Sequence, residues 1–183
     1  MKSAYAVEMS VQPGGARRGN LFVCSTFAHV RQILQWEFTD DPVRAAFAAD
    51  LAVFYGATLG IWIIRAGTPI AFLDLHPYLR ARVDGAAPIR LDDKAAIDAL
   101  ATQREESDQG FVEAAAFDID WDGIRRMLPT LAGDIVKPGD TLQVSSGPAL
   151  VTETYMNLAD GLAWGWNDLE SGEDAVDGFP ALT

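Results

Sequence analysis

Three aspartates, Asp118, Asp120 and Asp122, alternate along one short stretch of the chain. Carboxylate oxygens are the hard ligands that Ca²⁺ and Mg²⁺ prefer in proteins. A divalent ion held in this way can also activate a water molecule for hydrolysis. One hypothesis is therefore a small metal-assisted hydrolase or a calcium-binding protein that uses these three residues.

The run Asp118-Ile119-Asp120-Trp121-Asp122-Gly123 resembles the opening of an EF-hand calcium loop. The resemblance covers six residues, and the twelfth position is Pro129, where that family has a bidentate acid. The same run, after an apolar stretch, is similar to the Asp-x-Asp nucleophile motif of haloacid-dehalogenase-type phosphatases. The following Thr or Val of that motif is absent, and only about 60 residues remain after it. Neither family's function is carried over to this chain.

The same segment also has a purely structural interpretation. If it begins as a strand with Phe117, Ile119 and Trp121 facing the core, the three aspartates face outward. Asp120 or Asp122 then caps the following helix, where negative charge is favourable. This interpretation predicts no cofactor.

Nucleophilic side chains are few, since the chain has one cysteine, Cys24, and two histidines, His29 and His76. Five residues separate Cys24 from His29, which on a helix places them about 140° apart. Cys24 is therefore predicted to be buried packing, and His76, before Pro77, is predicted to end a strand. A single cysteine also excludes an intrachain disulfide and a multi-cysteine zinc site. We expect a non-catalytic protein.

Charge is unevenly distributed along the chain. The net charge is −12, and all fourteen Lys and Arg residues lie at or before Lys137. The last 46 residues carry eight acids and no base. Such a region repels phosphate backbones, so we expect no nucleic acid as a partner. It is either a solvated, solubilising surface or a docking surface for a protein with a basic surface.

Two tryptophans, Trp164 and Trp166, lie within this acidic region, with Asp160, Asp168 and Glu170 close by in sequence. Aromatic residues beside charges are typical of protein interfaces. Alternate apolar residues on a strand are equally typical of a core. These five residues are the predicted partner-binding site.

The elements that must position these groups can be read from periodicity. Residues 4–11 alternate and predict a half-buried strand. A helix is predicted from Thr26 to Glu37, and a second begins at Asp41-Pro42 and runs through Phe54 to Gly56. Further helices are predicted from the Asp92-Asp93 cap to Arg104 and from Ile124 to Leu131, the latter limited or kinked by Pro129.

Strands and irregular segments fill the remaining positions. Residues 60–65 and 69–75 predict a hairpin. Residues 78–90 are predicted to be irregular. Strand-like stretches are predicted at residues 21–25, 111–121, 141–145, 150–158 and 162–167. The apolar stretch 45–64 divides into helix, turn and strand, so we expect no membrane span; Asp50 and two glycines interrupt it.

Together these observations predict an α+β fold in which about four helices pack on a mainly antiparallel or mixed sheet. We expect one domain over residues 1–168 and an acidic tail over 169–183. The single cysteine and the strand-like start without an apolar leader predict a cytoplasmic protein. The predicted function is a non-catalytic protein-binding module, of inhibitor, immunity or adaptor type, whose acidic C-terminal surface meets a basic partner. The metal-using protein described above is the alternative.

Overall fold

The computed structural model describes residues 2–11, 18–35, 37–38, 50–106, 114–137, 141–142, 154–155 and 162–166. The predicted tail, residues 169–183, and the predicted helix start at Asp41 lie outside these ranges. Within them the fold is α+β, as predicted, with antiparallel sheets and four α-helices. No helix in the described ranges combines the length and apolarity needed to cross a bilayer.

A five-stranded antiparallel sheet is the largest unit, with strand order β10-β2-β1-β3-β4. Its strands are β1 (Ala4–Val11), β2 (Arg18–Cys24), β3 (Thr58–Arg65), β4 (Thr68–Asp74) and β10 (Leu162–Trp166). The central strand β1 pairs with β2 and β3, and β3 forms the predicted hairpin with β4. Strand β10 pairs with β2.

A second sheet has the order β6-β5-β7, formed by β5 (Leu79–Arg82), β6 (Ile89–Arg90) and β7 (Ala116–Ile119). The prediction that residues 78–90 are irregular was therefore wrong. Leu79 and Ala81 are buried while Arg80 and Arg82 are exposed, so the stretch has a strand's alternation in only four residues. The small pair β8 (Thr141–Leu142) and β9 (Thr154–Tyr155) completes the described strands.

Four helices lie in the described ranges: α1 (Phe27–Gln35), α2 (Leu51–Gly56), α3 (Lys94–Glu106) and α4 (Trp121–Met127). Their buried residues share one core cluster with one face of the large sheet and with the second sheet. Val30 and Leu34 of α1 and Ile97 of α3 are buried in this cluster. Helix α4 ends before Pro129, as expected.

The second predicted helix does not run through residue 50. Asp50 has an extended backbone (φ −72°, ψ 121°), and its side chain accepts a hydrogen bond from the Ala52 N–H as the N-cap of α2. An aspartate side chain competes well for the free N–H groups of a helix start, so α2 begins directly after Asp50. Leu51 and Phe54 of α2 are buried.

Strand β1 is buried on both faces, so the half-buried prediction was wrong. Tyr5, Val7 and Met9 face the helices, but Glu8 and Ser10 on the other face are also almost wholly inaccessible. Alternation of apolar and polar residues usually marks one wet face. Here the strand is central in the sheet, and its second face is buried in spite of those polar residues.

Candidate functional site

Asp118, the first of the three alternating aspartates, forms an ion pair with Arg82 across the β5–β7 ladder. The Arg82 Nε donates to Asp118 Oδ2 at 2.7 Å and Arg82 Nη2 donates to Oδ1 at 2.6 Å. This hydrogen bonding by Arg82 lowers the pKa of Asp118 below its ordinary value. Both carboxylate oxygens thus already have a cationic partner, in the bidentate geometry that arginine favours.

Asp120 is the N-cap of α4, as the structural interpretation predicted. Its Oδ1 accepts a hydrogen bond from the Gly123 N–H at 2.9 Å. A Cβ at Gly123 would lie 2.4 Å from Asp120 Oδ2 and 2.9 Å from a Tyr78 ring carbon, so the cap fits because residue 123 is glycine. Asp122 is exposed in the first turn of the helix, where negative charge is favourable.

The three aspartates do not converge. In the part of the chain that the structure describes, no group of three or more His, Cys, Asp or Glu side chains could hold a metal ion. The metal site stays a prediction without geometric support. It can be tested by melting with Ca²⁺ or Mg²⁺, comparing the protein with Asp120→Asn, since asparagine also caps helices. A temperature rise that this variant abolishes would revive the metal hypothesis.

The predicted partner-binding residues Trp164 and Trp166 lie on β10. Trp164 is opposite Phe22 of β2 in the register, and Trp166 is opposite Asn20. Strand β10 is last in the described order of the five-stranded sheet, and β9 (Thr154–Tyr155) lies close to it. Asp160, Asp168 and Glu170 lie outside the described residues, two to four positions from the ends of this strand.

Cys24 is buried packing, as predicted. Its side chain has no exposed surface, and burial raises the pKa of the thiol far above its ordinary value. A thiol that stays protonated is a poor nucleophile. His29 does not approach it; the His29 Nδ1 lies 2.9 Å from the Ser25 Oγ instead.

The buried His76 forms a hydrogen-bonded pair with the exposed Asp74 at the end of β4. Its Nδ1 lies 2.6 Å from Asp74 Oδ1, and its Nε2 donates to the Phe54 carbonyl at 2.8 Å. Burial alone would lower the pKa of His76, but the hydrogen bond and charge of Asp74 outweigh it and raise the pKa above 6.5. The pair ties the end of β4 to the last turn of α2 and fills both ring nitrogens, so it is structural.

Sequence reasoning missed a cavity of about 310 Å³ at the start of α1. Three parts of the chain meet there: the start of β1, the residues that lead into α1, and residues 125–135. Its described lining includes hydroxyl groups, from Tyr5, Ser25, Thr26 and Thr130. It also includes apolar side chains, from Phe27, Leu128, Leu131 and Ile135. Arg125 completes the described lining.

Two reciprocal contacts between α1 and α4 hold one wall of this cavity. The Arg125 guanidinium carbon lies 5.6 Å from the centre of the Phe27 ring, and that of Arg31 lies 5.0 Å from the Trp121 ring. Such cation–π contacts stabilise by about 0.5–1 kcal/mol each at exposed sites. Each helix thus places an arginine on an aromatic ring of the other.

The opposite wall is held by backbone contacts with β1. Ser3 pairs with Ile135, its N–H donating to the Asp134 carbonyl at 2.7 Å and its carbonyl accepting from Val136 at 3.0 Å. The Tyr5 hydroxyl donates to the Pro129 carbonyl at 2.5 Å. These bonds join positions more than 120 residues apart in the sequence. No local pattern could have indicated the cavity.

The turn that leads into α1 is held by local contacts, since Ser25 and His29 are spaced i, i+4 and their side chains lie 2.9 Å apart. The Thr26 side chain caps the same turn by accepting from the His29 N–H at 3.2 Å.

No protein-family model matches this chain, and comparisons with curated proteins and with solved structures find no match.

Proposed function

We propose that this protein is a binding module for a basic protein partner, which docks at β10 and the acidic residues around it. The position of β10 as the last strand in the described order of the five-stranded sheet supports the proposal. Because β9 lies close to β10, the partner is expected to meet side chains around β10 instead of pairing with its backbone.

Charge supports the same site. Asp160 lies two positions before β10 begins and Asp168 two positions after it ends, and no Lys or Arg follows Lys137. A partner surface that carries lysine or arginine gains electrostatic attraction to these acids, chiefly in its rate of association. Trp164 and Trp166 are aromatic residues of the kind enriched at interfaces.

Capture of a partner from the native host tests the proposal. The immobilised full chain should retain a basic protein at low salt and release it at high salt, because the screening length falls to about 3 Å at 1 M salt. Asp168→Lys and Glu170→Lys should each weaken the capture of that protein.

The matched control is Asp84→Lys. Asp84 is exposed and its side chain forms no ion pair with any described residue, so this variant changes the net charge equally at a distant loop. Capture should survive it. Equal loss in Asp84→Lys, or capture that is indifferent to salt, would contradict docking at β10.

A further inference from the structure

The cavity at the start of α1 has one charged group in its described lining, Arg125. Tyr5 also lines it, but burial raises the pKa of its phenol, which therefore stays neutral. No carboxylate is among the described lining residues. The charge of this described lining is therefore opposite in sign to the net charge of the chain, which is −12.

Arg125 has no ion-pair partner within the described ranges, although acids outnumber bases 26 to 14 in the chain. Arg82 and Arg90, by contrast, each hold an aspartate with two hydrogen bonds. The guanidinium carbon of Arg125 lies 5.6 Å from the centre of the Phe27 ring, and no carboxylate of a described residue pairs with it. Its N–H donors therefore remain for a ligand in the geometry that matches a carboxylate.

The hydroxyl groups differ in what they have left to donate. Tyr5 already donates to Pro129, and Ser25 Oγ lies 2.9 Å from His29 Nδ1. Thr26 Oγ1 accepts from the His29 N–H and keeps its own proton to donate. Arg125 and Thr130 are the two polar lining groups without a hydrogen-bond partner among the described residues.

The rest of the lining is apolar, and the volume is at the lower end of the range for small-molecule sites. One positive charge balances one negative charge, whereas a phosphate dianion would keep an uncompensated charge. We propose that the cavity binds a small organic monocarboxylate, with its carboxylate on Arg125 and Thr130 and its apolar body against Leu128, Leu131 and Ile135.

Hexanoate is the probe, with hexanamide as its neutral counterpart, and titration calorimetry and the melting temperature are the measurements. Hexanoate should bind saturably and raise the melting temperature of the full chain, and hexanamide should do neither. Arg125→Gln should weaken hexanoate binding by about tenfold or more, because a charge-assisted pair is lost.

Arg126→Gln is the matched control, since Arg126 is exposed beside Arg125 and does not line the cavity. It should bind hexanoate as the unmodified protein does. Arg125→Lys, which keeps the charge and loses the planar fork, should fall between them. Thr130→Val should weaken binding less than Arg125→Gln, because it removes a neutral donor.

Three results would overturn the inference. They are equal binding of hexanamide, equal loss in Arg126→Gln, and no saturable binding of hexanoate. Inorganic phosphate that binds more tightly than hexanoate would also overturn it, in favour of a phosphate site. The inference is independent of β10, because none of these measurements involves a protein partner.

Discussion

Strands β1 and β3 of the five-stranded sheet are buried on both faces, but the two faces are built from different residues. The face that packs against the helices is apolar, with Tyr5, Val7 and Met9 of β1 beside Ile61 and Ile63 of β3. The opposite face carries the small or polar residues Ala4, Ala6, Glu8, Ser10 and Gly60 beside the larger Trp62 and Ile64.

Large apolar side chains can interlock with helices, and they place the core on the first face. On the second face, small residues leave room for the rings of Trp62 and Phe72, whose centres lie 4.7 Å apart. The difference teaches that stability should respond to lost volume on the helix-covered face and to added volume on the opposite face. Four predictions test this contrast.

The largest effect is expected from Phe54→Ala on the helix-covered face. The Phe54 ring is fully buried, 4.9 Å from the Phe117 ring and 6.2 Å from that of Phe38. Its loss should reduce the free energy of unfolding by about 3–5 kcal/mol, measured by urea denaturation. Tyr55→Ala removes a neighbouring ring that is 39% exposed, and should cost about 1 kcal/mol or less. Equal costs would mean that the face is not tightly packed.

Gly60→Ala tests the opposite face by adding one methyl group. Its Cβ would lie 2.0 Å from a Phe72 ring carbon and 2.7 Å from the Leu73 carbonyl oxygen. We expect a loss of about 1–3 kcal/mol, because the ring and the backbone must move. At Gly56 an added Cβ meets nothing within 4 Å, so Gly56→Ala should cost nothing. If both variants have the same melting temperature, the close approach at Gly60 does not restrict the packing of this face.

The pH dependence of stability should come from buried groups near the helices. The pKa of His76 is raised above 6.5, since Asp74 and the more distant Asp92 favour its charged form over the cost of burial. A histidine whose pKa is raised in the folded state stabilises the fold fully below pH 6.5. This contribution is lost as pH rises through the folded-state pKa. Urea midpoints measured against pH should therefore fall above 6.5. His76→Asn should flatten that fall.

Two further variants separate the contributions to this profile. His29→Gln removes the other histidine and should leave the slope in place. Burial raises the pKa of Glu37 from 4.5 to about 7. Ionisation of this acid therefore lowers the free energy of unfolding as pH rises between those two values. Glu37→Gln should flatten only that part of the profile. If the urea midpoint of His76→Asn still falls above this pH range, the assignment to His76 is refuted.

The smallest effect is expected from Ser10→Ala on the opposite face. The Ser10 hydroxyl is buried and has no hydrogen bond to any described residue. Its removal should be neutral, or stabilise by up to about 1 kcal/mol. Ser3, also buried, accepts a hydrogen bond from the Ala66 N–H, so Ser3→Ala should cost about 1 kcal/mol. A clear loss in Ser10→Ala would show that its hydroxyl has a partner.

Much of the fold could be predicted because its signals are local. The alternation of β1, the β3–β4 hairpin, and the caps at Asp93 and Asp120 depend on residues a few positions apart. The four-residue strand β5 was missed because so short an alternation carries little signal. The acidic residues around β10 and its tryptophans stay a prediction, since sequence supplies their charge and order but not what they contact.

The sequence by itself determined the strand and helix periodicities, the capping residues, the negative charge of the last quarter and the inert character of Cys24. Only the tertiary structure decided that both faces of β1 are buried, that Arg82 engages Asp118, and that the Tyr5 hydroxyl donates to the Pro129 carbonyl beside a cavity. Periodicity and capping act over a few bonds of the backbone, whereas these contacts join segments tens to more than a hundred residues apart. Which distant segments meet is set by how the whole chain packs its apolar surface, and no local pattern records that.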